Sequence, residues 1–356
     1  MANKRVVQLR QAMLQRGLEA VFITSAINRR YLSGFTGSSG YVLITQNKAF
    51  LLTDFRYMTQ APQQATGYEV VEHGVSVGET LKSLLTAEQI NEVGFEQDDV
   101  VFSAFRKYEQ ELAPVKLVPV TGLVELLRVF KDEEELAIMK QAADLADRTF
   151  EHMLGVLKPG VTELEMALEM EFFMRKNGAT SSSFDTIVAS GERSALPHGV
   201  ASERVLGNNE FVKMDFGALL NGYCSDITRT VVLGTPTAKH REIYDIVLEA
   251  QLHTLEHLRP GMTGAEADAL ARDIITRYGY GDQFGHSTGH GLGMEVHESP
   301  RLSKLSDTIL KPGMVVTVEP GIYLPGFGGV RIEDDVVITE NGMRRLTEST
   351  KDFIVI

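Results

Sequence analysis

The feature that most constrains this chain is that part of it is written twice. Leu157, Pro159, Gly160, Thr162 and Glu165 recur 101 positions later as Leu258, Pro260, Gly261, Thr263 and Glu266. Each copy reads as a Pro-Gly turn followed by a Thr-x-x-Glu capping box, which opens a helix by satisfying its first free amides. After each helix comes a His-Gly pair, His198-Gly199 and His290-Gly291, and then two strand-like runs carrying acids. An ordered series of matches implies a duplicated half-domain, whose two halves bury a pseudo-two-fold seam. Such a seam is a natural place for a two-centre site.

The acids have a definite expected geometry. Residues 211–217 and 224–232 are strand-like and flank Asn221-Gly222, the strongest two-residue hairpin signal. With those two residues as the turn, Gly217 lies opposite Asp226 and Asp215 opposite Thr228. Asp215 and Asp226 then share one face as diagonal neighbours. Carboxylates this close on an apolar strand pair repel unless a cation or a proton sits between them. The second half uses glutamates: residues 315–323 read as a buried strand carrying Glu319. Residues 329–338 read as another, with Arg331, Glu333 and Asp335 on one face. Asp215 and Glu319 are 104 apart, and Asp226 and Glu333 are 107 apart, so the repeat equates the members of each pair. Four carboxylates and the imidazole of His290 form a hard, oxygen-rich donor set. That set favours Mn²⁺, with Co²⁺, Zn²⁺ or Fe²⁺ as substitutes.

Ahead of the repeat, residues 1–122 read as a smaller α/β domain. Val6, Leu9, Met13, Leu14 and Leu18 form a helical stripe over residues 5–18, and residues 20–24 read as a buried strand. Residues 41–45 and 49–53 read as a hairpin. Residues 123–356 form the second domain, opened by a helix that starts at the acids Asp132 to Glu135 and runs to about Leu157. The whole is an α+β chain, and 356 residues suit two cores rather than one. A formal charge of −13, with no basic run, excludes nucleic-acid binding and anionic membranes as functions. No stretch approaches the ~18 apolar residues of a span, and no leader precedes the first helix, so a cytoplasmic protein is expected. Cys224 is the only cysteine and reads as packing.

Three of the nine histidines, His286, His290 and His297, fall within residues 286–298. That segment resembles the signature of the Xaa-Pro peptidases, prolidase and aminopeptidase P. The blocks at Met214 to Gly217, Asp226 to Thr230, Thr317 to Gly321 and Val330 to Asp334 resemble the family's other motifs. Residues 28–37 and 53–57 are similar to its N-terminal domain.

The resemblance implies a pita-bread catalytic domain preceded by a creatinase-like α/β domain, and hydrolysis of the bond before proline in small peptides. It implies two divalent cations, with Asp226 and Glu333 bridging them, Asp215 on one, and His290 and Glu319 on the other. Glu319 would handle the proton of the attacking water, His297 would steady the oxyanion, and His198 would lie close to the substrate backbone. His286 and Arg331 match positions that hold the residue after the cut, with weaker support expected from Thr228 and Asp335. A homodimer is usual in the family.

Arg301, four residues after His297, matches the prolidase continuation and suits the carboxylate of a dipeptide; a local pair with Glu298 or Asp307 is the alternative. The chain is therefore expected to be a Xaa-Pro dipeptidase, with aminopeptidase P as the close alternative. A methionyl aminopeptidase is disfavoured by the extra N-terminal domain. Creatinase, and a non-catalytic pita-bread binding protein, are disfavoured by the five intact ligands.

Overall fold

The computed structural model describes residues 4–356, which divide into two units on either side of the boundary between Arg128 and Val129. The first is built on a six-stranded mixed sheet. Ala20–Ile23 lies inside it, antiparallel to Tyr41–Thr45 and parallel to Glu92–Glu96. The expected hairpin forms, with Ile44 opposite Ala49. Its turn closes on Thr45, whose hydroxyl accepts the Lys48 amide at 2.9 Å. Helix Lys4–Gln15 buries Val6, Leu9 and Met13, but Leu14 is 65% exposed, so the buried stripe is narrower than the sequence pattern predicts. Phe22, Leu43, Phe50 and Leu81 belong to one of its buried apolar clusters.

The second unit opens with helix Glu133–Leu154, capped by Asp132 and Glu135 in a reciprocal box and ended at Gly155, three residues short of the expected end. The duplication is visible bond by bond. Helices Glu163–Lys176 and Gly264–Arg277 start alike: Thr162 and Thr263 accept the amides of Glu165 and Glu266 at 3.1 and 3.2 Å. Each glutamate reaches back to its threonine amide, at 2.6 and 2.7 Å. The preceding turns match too, with Gly160 and Gly261 at φ +92° and +91°, a conformation glycine adopts freely. Their amides donate to Leu206 and Leu310 at 2.9 and 2.8 Å. Thr263→Ala should remove one cap and lower stability by about 1 kcal/mol, read as a lower urea midpoint at constant slope. An unchanged midpoint would show that the cap carries no stability here.

Strand Glu210–Phe216 pairs antiparallel with Ile227–Leu233, and Asp215 stands opposite Thr228, the register expected from the Asn-Gly turn. Leu220 faces Tyr223 across Asn221 and Gly222, both at positive φ as a type I′ turn requires. The hairpin folds sharply at Gly217, where a Cβ would lie 1.7 Å from the Ser225 carbonyl oxygen.

The second half departs from expectation. Its two predicted long strands are each broken, into Val315–Val318 and Gly321–Leu324, and into Gly328–Arg331 and Asp334–Thr339. Pro320 has no amide to offer a ladder, which interrupts the first. Glu319 and Glu333 occupy the breaks. There the Glu333 amide crosses to the other half and donates to the Thr228 carbonyl at 3.1 Å. Asp226 crosses the opposite way, its amide donating to the Asp335 carboxylate at 3.0 Å. Among the described residues no helix is long and apolar enough to cross a membrane.

Candidate metal centre

The seam between the halves collects the acids. Asp215 and Asp226 come from the first hairpin, Glu319 and Glu333 from the interruptions in the second, and His290 from the short strand Gly289–Gly291. That strand is squeezed between Glu298–Leu302 and Val315–Val318. Its flanking glycines permit this, since a Cβ at Gly289 or Gly291 would come within 1.9 or 2.2 Å of a neighbouring carbonyl oxygen.

Donor atoms of Asp226, His290 and Glu333 all lie within 4.8 Å of one another. The His290 Nε2 is 3.5 Å from Asp226 and 3.4 Å from Glu319. Its Nδ1 is 3.0 Å from the Gly291 carbonyl, which fits an Nδ1–H tautomer with Nε2 free as a donor to a cation. One oxygen of Glu333 accepts the Thr228 hydroxyl at 2.6 Å. One oxygen of Asp215 accepts from Arg331, while its Oδ1 is buried without a partner. Buried acceptors are nearly always satisfied, so an orphaned carboxylate oxygen in this cluster fits a missing cation.

The electrostatics agree. Burial first, then Glu333 and Asp215, push the Asp226 carboxyl far above the usual range. Burial, Glu319 and Asp215 do the same to Glu333. Burial raises Glu319 to about 7 and depresses the His290 imidazole, keeping it neutral and available. Cations of charge two among these oxygens would reverse the carboxylate shifts. The residues therefore fit divalent metal.

The five donors line one cavity of about 760 Å³, and so do His198, His286, His297, Arg301 and Arg331. The five donors and the five side chains expected around the substrate thus border one space, with Thr228 and Asp335 outside it. The ring of His297 packs 4.3 Å from that of His290, centre to centre. Burial lowers the His286 pKa to about 3, with Arg331 adding to the effect. Thr228 and Asp335 lie behind the donors, bonded to Glu333 and to the Asp226 amide.

Sequence reasoning missed Tyr323. Its hydroxyl lies 2.7 Å from His286 Nε2 and 2.8 Å from Arg331 Nη1, linking the two. It also missed the apolar wall of Phe184, Ile187, Pro197 and Val296. Only the phase of Tyr323 within its strand could have signalled it, and the break at Pro320 obscured that phase. Cys224 is buried off the cavity, its thiol 3.8 Å from the Met294 carbonyl and pushed by burial to about 12, as packing requires. His240 serves as a helix cap, accepting the Thr237 amide at 3.0 Å.

Comparison with known proteins places these features in a family. Residues 137–340 match metallopeptidase family M24, and residues 5–130 match the creatinase/prolidase N-terminal domain. The Xaa-Pro dipeptidase of Pyrococcus furiosus is 40% identical over 354 residues, 99% of this chain and 100% of its own. A solved Xaa-Pro dipeptidase from Bacillus anthracis superposes with a TM-score of 0.97 at 51% identity, over 99% of both chains. An X-Pro aminopeptidase from Thermotoga maritima superposes at 0.92 with 41% identity, over 97% of this chain and 100% of its own.

Proposed function

We propose, from the premise that this chain belongs to metallopeptidase family M24 with a creatinase/prolidase N-terminal domain, that it hydrolyses the bond before proline in dipeptides. The observation that carries the reading is Arg301, which lines the same cavity as the five-donor centre and makes no side-chain hydrogen bond or ion pair among the described residues. A dipeptide ends in a carboxylate immediately after the scissile bond, and a guanidinium fork suits it. The alternative local pairing of Arg301 with Glu298 is disfavoured, since Glu298 pairs with buried Lys131 at 3.1 Å. A release of single residues from longer peptides is the second reading, favoured by the likeness to the Thermotoga maritima aminopeptidase.

The site would hold two divalent cations, Mn²⁺ first among candidates, with Asp226 and Glu333 shared, Asp215 on one side, and His290 and Glu319 on the other. When bound, they supply Lewis acidity toward the peptide carbonyl and toward water. Glu319, an acid beside the shared position, is placed to take a proton from water and return it to the leaving nitrogen. His297, whose pKa burial lowers, is neutral and donates to the carbonyl oxygen as charge develops there. His198 contacts the substrate backbone, and His286 and Arg331, joined by Tyr323, flank the proline.

The assay that tests this compares Ala-Pro with Ala-Pro-Ala, in Mn²⁺ and after chelation. Ala-Pro should be cleaved faster, and only with metal. Arg301→Ala should raise KM for Ala-Pro by about tenfold while changing tripeptide hydrolysis little, as loss of one charged contact predicts. Faster cleavage of Ala-Pro-Ala by the wild type would overturn the dipeptidase reading in favour of the aminopeptidase. The protein works as a cytoplasmic homodimer on this reading. Light scattering should give about twice the 39.3 kDa chain mass, and a fully active monomer would refute it.

A further inference from the structure

Along strand Glu210–Phe216 side chains alternate, so Lys213 points to the same side as Asp215. It is 0% exposed. Lysine is seldom fully buried, and when it is its nitrogen normally meets a carboxylate. This one does not. Its Nζ donates to the Leu196 carbonyl at 2.6 Å and the Pro197 carbonyl at 3.4 Å, and stands 5.0 Å from the centre of the Tyr323 ring. Arg331 Nη1 converges on the same Pro197 carbonyl at 3.0 Å. Two buried nitrogen donors therefore grip the backbone immediately before His198.

That backbone is otherwise held by short-range turn bonds: the Leu196 amide donates to the Arg193 carbonyl at 2.9 Å, the Gly199 amide to the Leu196 carbonyl at 3.2 Å and the Val200 amide to the His198 carbonyl at 3.0 Å. Residues 196–200 lie outside helix and strand, and Pro197 has no amide of its own to bond. The His198 side chain is exposed to the cavity and has no hydrogen-bond partner among the described residues. Its place is set by the backbone that carries it, and the Lys213 and Arg331 contacts are what tie that local turn to the strand of Asp215 and to the cavity wall. A methionine would fill the volume of Lys213 with no polar nitrogen to desolvate, and exchanging a buried polar group for apolar bulk of similar size is often neutral or stabilising. The buried amine is therefore not explained by stability alone.

We propose that Lys213 is a positioning residue, whose bonds to the Leu196 and Pro197 carbonyls set where His198 stands in the cavity. The inference rests on the role given above to His198 at the substrate backbone. Lys213→Met should leave bound metal unchanged and the melting temperature no lower, yet reduce kcat/KM on Ala-Pro by about tenfold or more, since small misplacements of substrate contacts cost that much. In a His198→Ala background the same substitution should cost less than about twofold, because its route is already cut. Lys213→Arg, which can still donate to both carbonyls, should recover part of the loss.

An equal cost with and without His198, or no cost in the wild type, overturns the proposal. Should Lys213→Met fail to fold, Lys213→Gln enters the same cycle and is judged by the same two ratios. The ring resonances of His198 give a readout that needs no substrate: they should shift or broaden in Lys213→Met. If wild type leaves Ala-Pro uncut while those resonances move, the function above fails and the positioning stands. If they do not move, the positioning fails whatever the substrate.

Discussion

Asp226→Asn should lose at least about 10²-fold in hydrolysis together with part of its bound metal, because even residues that only support metal ligands cost 10–100-fold when removed. The substitution keeps the shape and deletes a charge from the middle of the donor set. The metal-free protein should respond in the opposite sense. Asp226 has its folded pKa raised by burial and by Glu333 and Asp215, so the folded state holds that proton more tightly than the unfolded one. Its contribution is present below the unfolded carboxylate range and is lost as pH rises through the folded value. At neutral pH the metal-free wild type is therefore destabilised by a carboxyl that must stay buried or take up a proton on folding, a cost that asparagine lacks. Metal-free Asp226→Asn should melt at or above metal-free wild type, while added Mn²⁺ should raise the wild-type melting temperature by more than the variant's. A variant that binds two metals tightly and turns over normally would remove Asp226 from the centre.

His297→Ala should lower kcat by about 10²-fold or more and leave the metal content as it was, the signature of losing a donor to a developing oxyanion. Its ring packs against that of the candidate ligand His290, so the two histidines must be told apart by experiment. Metal analysis beside the kinetics does this. If metal is lost in proportion to activity, His297 is a ligand and the oxyanion role falls.

Most of the site was legible because its determinants are local. The Asn221-Gly222 turn fixes a register, the register fixes which acids share a face, and the repeat carries the reasoning to Glu319 and Glu333. The breaks at Pro320 and between Arg331 and Asp334 were less legible. Periodicity sees a continuous apolar run, whereas the amide of Glu333 leaves its own ladder for a partner 105 positions earlier in the chain. Lys213 was illegible for a related reason. Its partners are backbone carbonyls, which have no residue identity to read, and nothing near it in sequence announces a buried lysine. Leu14 shows the converse: a side chain in phase with a stripe can still stand outside it.

The stitching between the halves also bears on how the centre comes into being during synthesis. Thr228 meets Glu333, Thr230 meets Arg331 and Asp226 meets Asp335 across separations of 105, 101 and 109 residues. Loops of that length close late relative to hairpins and helices, and domains emerge from the ribosome in order. The first half leaves the ribosome with Asp215 and Asp226 in place and no glutamate to complete the set. The donor cluster assembles only once the chain has run past residue 335. A nascent chain that has not yet run past residue 335 therefore cannot hold the complete donor set.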